Sequence, residues 1–428
     1  MKKTFQLAGA VAAVAALALT ACAPGESTNE PAAQNTADRN LTYLYFTDGP
    51  DEQVTRDLIA EFEKKHNAKV TLEVIPYSNL EQTLQARLAG NNAPDVARLS
   101  NLGPFKADLM DLAKYKKGDI DGKFLDGVKG SMYDGDKIIA VASDLTMNGP
   151  LVNVDMFEKA GVPLPSKDNP WKSWDDMVAA GQKVKEANST EYALAMDVSG
   201  HRLSTMMSQF GTTLFSEDGK SVNWDVAKGT AAMTKFNELN QSGAMPKDLF
   251  LQSGAKYKAA NEIFLAQQTP IYISGNWQVA ALTKNAQFKW AAVPNACQER
   301  CGGFPGGKFM AGFNQSKNHE LAAEFITFMN SKEAQTKYAV DANFLPTRKD
   351  LVESGVAYTN RKEDMTTFLE ELRVTPNDTY GSAYSPAFAA AAKSIQTELA
   401  AVLAGQKSPE DASKAVRKAA EDNLAAAK

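Results

Sequence analysis

Leu41-Thr42-Tyr43-Leu44-Tyr45-Phe46 is an aromatic and aliphatic run of the kind that fills a buried strand. From Glu52 to His66, Val54, Leu58, Ile59 and Phe62 recur at helical spacing, which gives that segment one apolar face. Val70 to Ile75 reads as a second strand. From Asn79 to Ala89, Leu80, Leu84 and Leu88 stand four apart and predict a second helix. Pro94-Asp95-Val96-Ala97-Arg98-Leu99 predicts a third strand. Strand, helix, strand, helix, strand is the pattern of a parallel sheet covered by helices, an α/β fold. In such sheets ligands lie beyond the carboxyl ends of the strands, so Phe46-Thr47-Asp48 and Leu99-Ser100-Asn101 are expected at a rim.

Upstream of this stretch, Lys2 and Lys3 precede an apolar run from Leu7 to Leu19. The run is shorter than the roughly 20 apolar residues a membrane-spanning helix needs. Residues 1–21 therefore read as a secretory signal peptide. Leu19-Thr20-Ala21-Cys22 looks like a lipobox, in which Cys22 becomes the lipidated first residue of the mature chain. More than one acyl chain gives stable attachment to a membrane. The expected location is the extracytoplasmic face of a bacterial cell membrane. Residues 22–40 are small and polar and have too little to bury to offset the entropy of ordering, so they read as a flexible tether.

Beyond the tether, the remaining chain is long enough for two lobes. The formal net charge of the 428 residues is −5, becoming more negative once Lys2 and Lys3 leave, and acid and base are interspersed. No basic patch points to nucleic acid. Cys297 and Cys301 stand close together in a Gly-rich loop of an exported chain and are expected to pair as a disulfide. A metal site needs two further ligands, and His66, His201 and His319 have no ligand spacing to one another, so neither a metal nor a cofactor is expected.

The stretch Tyr133-Asp134-Gly135-Asp136-Lys137-Ile138-Ile139-Ala140-Val141-Ala142-Ser143-Asp144 continues into Val152-Asn153-Val154-Asp155-Met156-Phe157-Glu158-Lys159-Ala160-Gly161-Val162-Pro163 and Ser173-Trp174-Asp175-Asp176. A second block runs from Gly306-Gly307-Lys308-Phe309-Met310-Ala311-Gly312 through Ala322-Ala323-Glu324-Phe325-Ile326 to Phe344-Leu345-Pro346-Thr347-Arg348. In this order and behind a lipobox, these blocks resemble the extracellular solute-binding proteins related to maltose-binding protein. Two departures bear on the ligand. The Pro usual near Val141-Ala142 is absent, and the Tyr-Asn pair usual near Val152-Asn153 keeps only its Asn.

The resemblance implies a two-lobe, type II periplasmic-binding-protein-like fold with a cleft between discontinuous lobes, placed at 41–144 plus 310–345 and at 145–309 plus 346–428. It implies a monomeric binding protein, not an enzyme, that closes on a small solute, foremost a carbohydrate, and delivers it to ABC permease subunits. A pyranose offers an apolar face and a rim of hydroxyls, so its site needs aromatic rings and planar polar groups. Trp277, after the expected strand Ile271-Tyr272-Ile273-Ser274-Gly275-Asn276, resembles the family's cleft Trp and is the first stacking candidate; Tyr384 is a second. Asp48, Asp144, Asn148 and Arg348 are expected on the polar rim, near strand ends or lobe crossings. Gly306, in the loop Gly302 to Gly307, is expected to bring backbone N–H groups to the ligand or to turn the chain. His201 faces either the cleft or the surface. Trp171, Trp174, Trp224 and Trp290 are expected to pack in the core or at its edge, and Ala387 to Lys428 is expected to form packing helices starting again at Ser408-Pro409-Glu410-Asp411.

Other chemistries fit less well. Gly302-x4-Gly307-Lys308 mimics a phosphate-binding loop, but Phe309 stands where Ser or Thr would hold magnesium. His319-Glu320 lacks the second His of a zinc protease. A binding protein for a glycerol phosphodiester or a polyamine remains as an alternative, and an exported glycan-cleaving enzyme as a more distant one.

Overall fold

Ten strands carry the architecture of the described residues: β1 Asn40–Tyr45, β2 Lys69–Val74, β3 Val96–Leu99, β4 Tyr133–Asp134, β5 Lys137–Ile138, β6 Val141–Asn153, β7 Ala195–Met196, β8 Ile271–Gly275, β9 Trp290–Ala292 and β10 Pro305–Gly312. The structure is a computed structural model and describes residues 39–47, 50–251 and 259–427. The expected signal peptide, Cys22, the expected tether up to residue 38 and Asp48 lie outside the described residues, and Asn40, expected at the end of the tether, opens β1.

β1 pairs in parallel with β2 on one side and β3 on the other, and the expected helices join them, Asp51–His66 and Leu80–Ala89. The helix Asp51–His66 buries Val54, Leu58, Ile59 and Phe62, the four residues whose spacing predicted its inner face. Asn67 in the left-handed region ends it, a conformation Asn tolerates better than most residues. The sequence reading of β1 to β3 holds to within one or two residues at each end.

The sheet order is β2-β1-β3-β10-β6-β8-β7, with β9 also on β6; β4 and β5 form a separate hairpin. β10 runs antiparallel to β3, so its first residues, Pro305 to Gly307, lie at the end of the sheet where β1 and β3 finish. β6 is 13 residues long and changes partner along its length. From Val141 to Met147 it pairs with β10, and from Asn148 onward with β8 and β9. One continuous strand thus links two sections of sheet.

Two apolar clusters fill the interior. One gathers Leu41, Phe62, Leu99 and Phe325 around β1 to β3. The other holds Trp171, Trp174 and Trp224 with Phe236 and Ile395. Trp290 is also buried, so all four of these Trp residues pack inside, as expected. The C-terminal segment forms the helices Phe388–Leu403 and Pro409–Ala426; the Ser408 side chain caps the second by accepting from the Asp411 N–H. Cys297 and Cys301 are joined by a disulfide.

Candidate functional site

A cavity of about 1030 Å³ opens beyond the carboxyl ends of β1 and β3, where a parallel sheet presents ligands. Phe46, Tyr77 and Ser100 line one wall, His201, Arg202 and Trp277 another, and Gly306, Gly307 and Tyr384 lie between them.

Backbone shape sets the position of Trp277. A Cβ on Gly275 would fall 2.1 Å from the Trp277 ring and 2.5 Å from the Met147 carbonyl oxygen, so only glycine lets the indole fold back over the end of β8. The Arg202 guanidinium lies over that indole, 3.9 Å from its centre. Arg202 and His201 begin the helix Gly200–Gln209, whose N-cap Ser199 accepts from the Arg202 N–H. His201 Nε2–H donates to the Pro305 carbonyl at 2.9 Å, and its Nδ1 accepts from Arg202 Nη1 at 3.1 Å, the tautomer being assigned from these partners. Burial first, and the neighbouring Arg202 second, push the His201 imidazole down to about 3. His201 is therefore a neutral spacer between β10 and Arg202.

Tyr384 Oη donates to the Gly306 carbonyl at 3.1 Å while its ring meets Phe309 edge-on. Burial pushes the Tyr384 phenol well above its ordinary value, which keeps it a donor. A Cβ on Gly306 would sit 2.6 Å from Thr146 Oγ1, and one on Gly307 would sit 2.7 Å from the Asp144 carbonyl. These glycines let β10 lie close to β6 beneath the opening.

Below this layer Arg98 is 1% exposed and holds two carboxylates: Nη1 reaches Asp51 at 3.0 Å and Nη2 reaches Asp144 at 2.9 Å. Nη1 also donates to the Phe46 carbonyl at 2.8 Å, tying the end of β1 to the start of β6. The guanidinium between the two carboxylates is what makes their burial tolerable, although Asp144 Oδ1 has no hydrogen-bond partner among the described residues.

The structure thus brings Trp277, Tyr384 and Gly306 to the cavity, together with His201, whose facing the sequence left open. Asp144 and Asn148 are each 1% exposed and lie beneath the lining rather than in it. Asn148 Nδ2 donates to Thr205 Oγ1 at 2.7 Å. Arg348 lies elsewhere, paired with Asp350 at 3.0 Å and bordering a separate groove. Its expected place on the rim is corrected, because the chain turns at Thr347 into the helix Lys349–Ser354 and Asp350 holds the guanidinium there. Sequence reasoning passed over Arg202 and Tyr77. It also passed over Arg98, although a cation inside a strand of otherwise apolar buried residues signals a buried partner.

Residues 57–367 match the family described as bacterial extracellular solute-binding protein. The chain belongs to this family. Its members bind solutes and are not enzymes. The diacetylchitobiose binding protein of Streptomyces coelicolor is 24% identical to this solute-binding protein over 409 residues, 89% of this chain and 88% of its own. The GacH receptor of Streptomyces glaucescens, solved unliganded and in complex with acarbose, matches with a TM-score of 0.74 at 21% identity, covering 90% of this chain and 98% of that one. The cyclic α-maltosyl-1,6-maltose binding protein of Arthrobacter globiformis matches equally well, with a TM-score of 0.74 at 19% identity, covering 90% and 98%. The fold of this solute-binding protein is the two-lobe, type II periplasmic-binding-protein fold.

Proposed function

We propose that this solute-binding protein captures a carbohydrate in the cavity between Trp277 and the β1 and β3 ends and delivers it to ABC permease subunits as a monomer. The observation that carries the reading is the pairing of a partly exposed indole with backbone and hydroxyl groups around one cavity, the chemistry a pyranose requires. The names of its relatives, binders of diacetylchitobiose and maltosyl-maltose, support the same class. Asp144, Thr146 and Asn148 share one face of β6, and Thr146 lines the cavity. Asp144 Oδ1 and Asn148 Oδ1, beneath the lining, have no hydrogen-bond partner among the described residues, and such buried acceptors suit a buried water under the site.

The lobes proposed are 41–144 plus 310–345 and 145–309 plus 346–428. The change of strand partner along β6 at Met147 and Asn148 supports a hinge there. A transporter distinguishes loaded from empty protein because only the solute contributes differential free energy between closed and open states. Lipidation of Cys22 would hold the protein on the outer face of the membrane. Its test is labelling with a palmitate analogue, which Cys22→Ala should abolish while releasing the protein in soluble form.

Thermal unfolding of the purified protein against sugars, glycerol phosphodiesters and polyamines tests the ligand class. A ligand at one hundred times its Kd adds about 2.7 kcal/mol of stability. We expect a shift with a sugar, lost in Trp277→Ala and without turnover. Arg202 and Lys308 in the lining favour the phosphodiester as the second reading, and a shift with that compound alone would replace the first.

A further inference from the structure

Tyr77 is 58% exposed and lines the same cavity as Trp277, and none of the site residues expected from sequence accounts for it. It opens a single 3₁₀ turn, Tyr77–Asn79, between β2 and the helix Leu80–Ala89, directly after Pro76. An exposed aromatic ring usually moves freely, but this one is held from two sides. Its ring centre lies 4.9 Å from that of Phe46, which is 1% exposed, and its Oη shares a 3.0 Å hydrogen bond with Ser100 Oγ. Phe46 in turn lies under the Arg98 guanidinium at 4.9 Å. The ring is thus fixed before any ligand arrives, so little side-chain entropy is lost when a second ring packs on it.

We infer that Tyr77 is a second stacking platform, separate from Trp277, which takes a further sugar ring of an oligosaccharide, with Ser100 and Asn101 supplying polar groups to its hydroxyls. The inference rests on the carbohydrate reading of this cavity and adds the length of the solute to it. Two aromatic residues line one cavity, Tyr77 after β2 and Trp277 after β8, and β1, β3, β10 and β6 stand between those two strands in the sheet order; the cavity is at the upper end of the roughly 300–1000 Å³ usual for small-molecule sites. A monosaccharide stacked on Trp277 leaves Tyr77 in water, whereas a longer chain covers both.

The test is titration calorimetry of the wild type, Tyr77→Ala and Tyr77→Phe with malto-, galacto-, arabino- and chito-oligosaccharides of one to four units. In the series that binds, Tyr77→Ala should lose about tenfold in affinity for the longer members and little for the monosaccharide, the scale of one aromatic contact. Tyr77→Phe keeps the ring and should lose less than threefold. Unchanged affinity in Tyr77→Ala for every length overturns the inference, and so does an equal loss at every length, which would make Tyr77 part of the Trp277 site. A wild type that binds no sugar of any length fails the carbohydrate reading itself, a result distinct from both.

Discussion

The Arg202 guanidinium covers the Trp277 indole at 3.9 Å, so the ring expected to receive a sugar already carries a cation on one face. A partly buried cation–π pair contributes about 1–2 kcal/mol. We expect Arg202→Met, Trp277→Ala and the double variant, compared by urea unfolding without ligand, to give a coupling energy of about 1 kcal/mol. A coupling of zero would mean that the two side chains do not stack in solution.

Arg98 pairs with both Asp51 and Asp144, and all three groups are nearly inaccessible. Removing the cation leaves two carboxylates buried without it. Arg98→Met should therefore destabilise by about 3–5 kcal/mol in urea unfolding. Replacing all three with apolar residues should cost far less, because no buried charge is then left over. A mild effect of Arg98→Met alone would show that water reaches the carboxylates.

The start of the fold is legible because local pattern and tertiary environment agree there. β1 to β3 are apolar runs, and the inner faces of the helices between them repeat at helical spacing. Trp277 is singled out in the sequence by its resemblance to the family's cleft Trp after a strand that ends in glycine, and the structure puts it in the cavity lining. Asp144 and Arg348 show where that reasoning stops. Asp144 stands near a crossing in the chain, but its environment is set by Arg98, 46 residues away. Arg348 is drawn aside by Asp350, which sequence proximity alone does not reveal. Tyr77 has no periodic signal, and only the placement of Phe46 and Ser100 makes it part of a wall.

The disulfide between Cys297 and Cys301 closes a very short loop, so its entropic contribution is small, about 2 kcal/mol at most. Other contacts hold the loop as well. Arg300 pairs with Asp378 at 2.8 Å and donates to the Ser208 carbonyl, and Gln209 Nε2 donates to the Gly302 carbonyl at 3.0 Å. Cys297→Ser with Cys301→Ser should therefore lower stability by no more than about 2 kcal/mol and leave solute affinity within threefold of wild type. A loss of binding on reduction would instead show that the bridge shapes Pro305 to Gly307.

Glu371 is 5% exposed on the helix Lys362–Val374 and accepts from Asn295 Nδ2 at 2.7 Å and from the Asn295 N–H at 3.2 Å. Burial pushes its carboxyl up to about 7 against the opposing pull of these bonds. The folded state then binds more protons than the unfolded state between the ordinary value of 4.5 and about 7, so stability is present at low pH and is lost as pH rises through that window. The loss attributable to this group is on the order of 3 kcal/mol. Burial also raises Asp364 on the same helix, so the measurement must be a difference: urea unfolding of wild type and Glu371→Gln at several pH values from 4.5 to 8. The variant should lose less stability than the wild type across the window. Parallel pH profiles for the two proteins would show that Glu371 ionises in the folded state as it does in the unfolded chain.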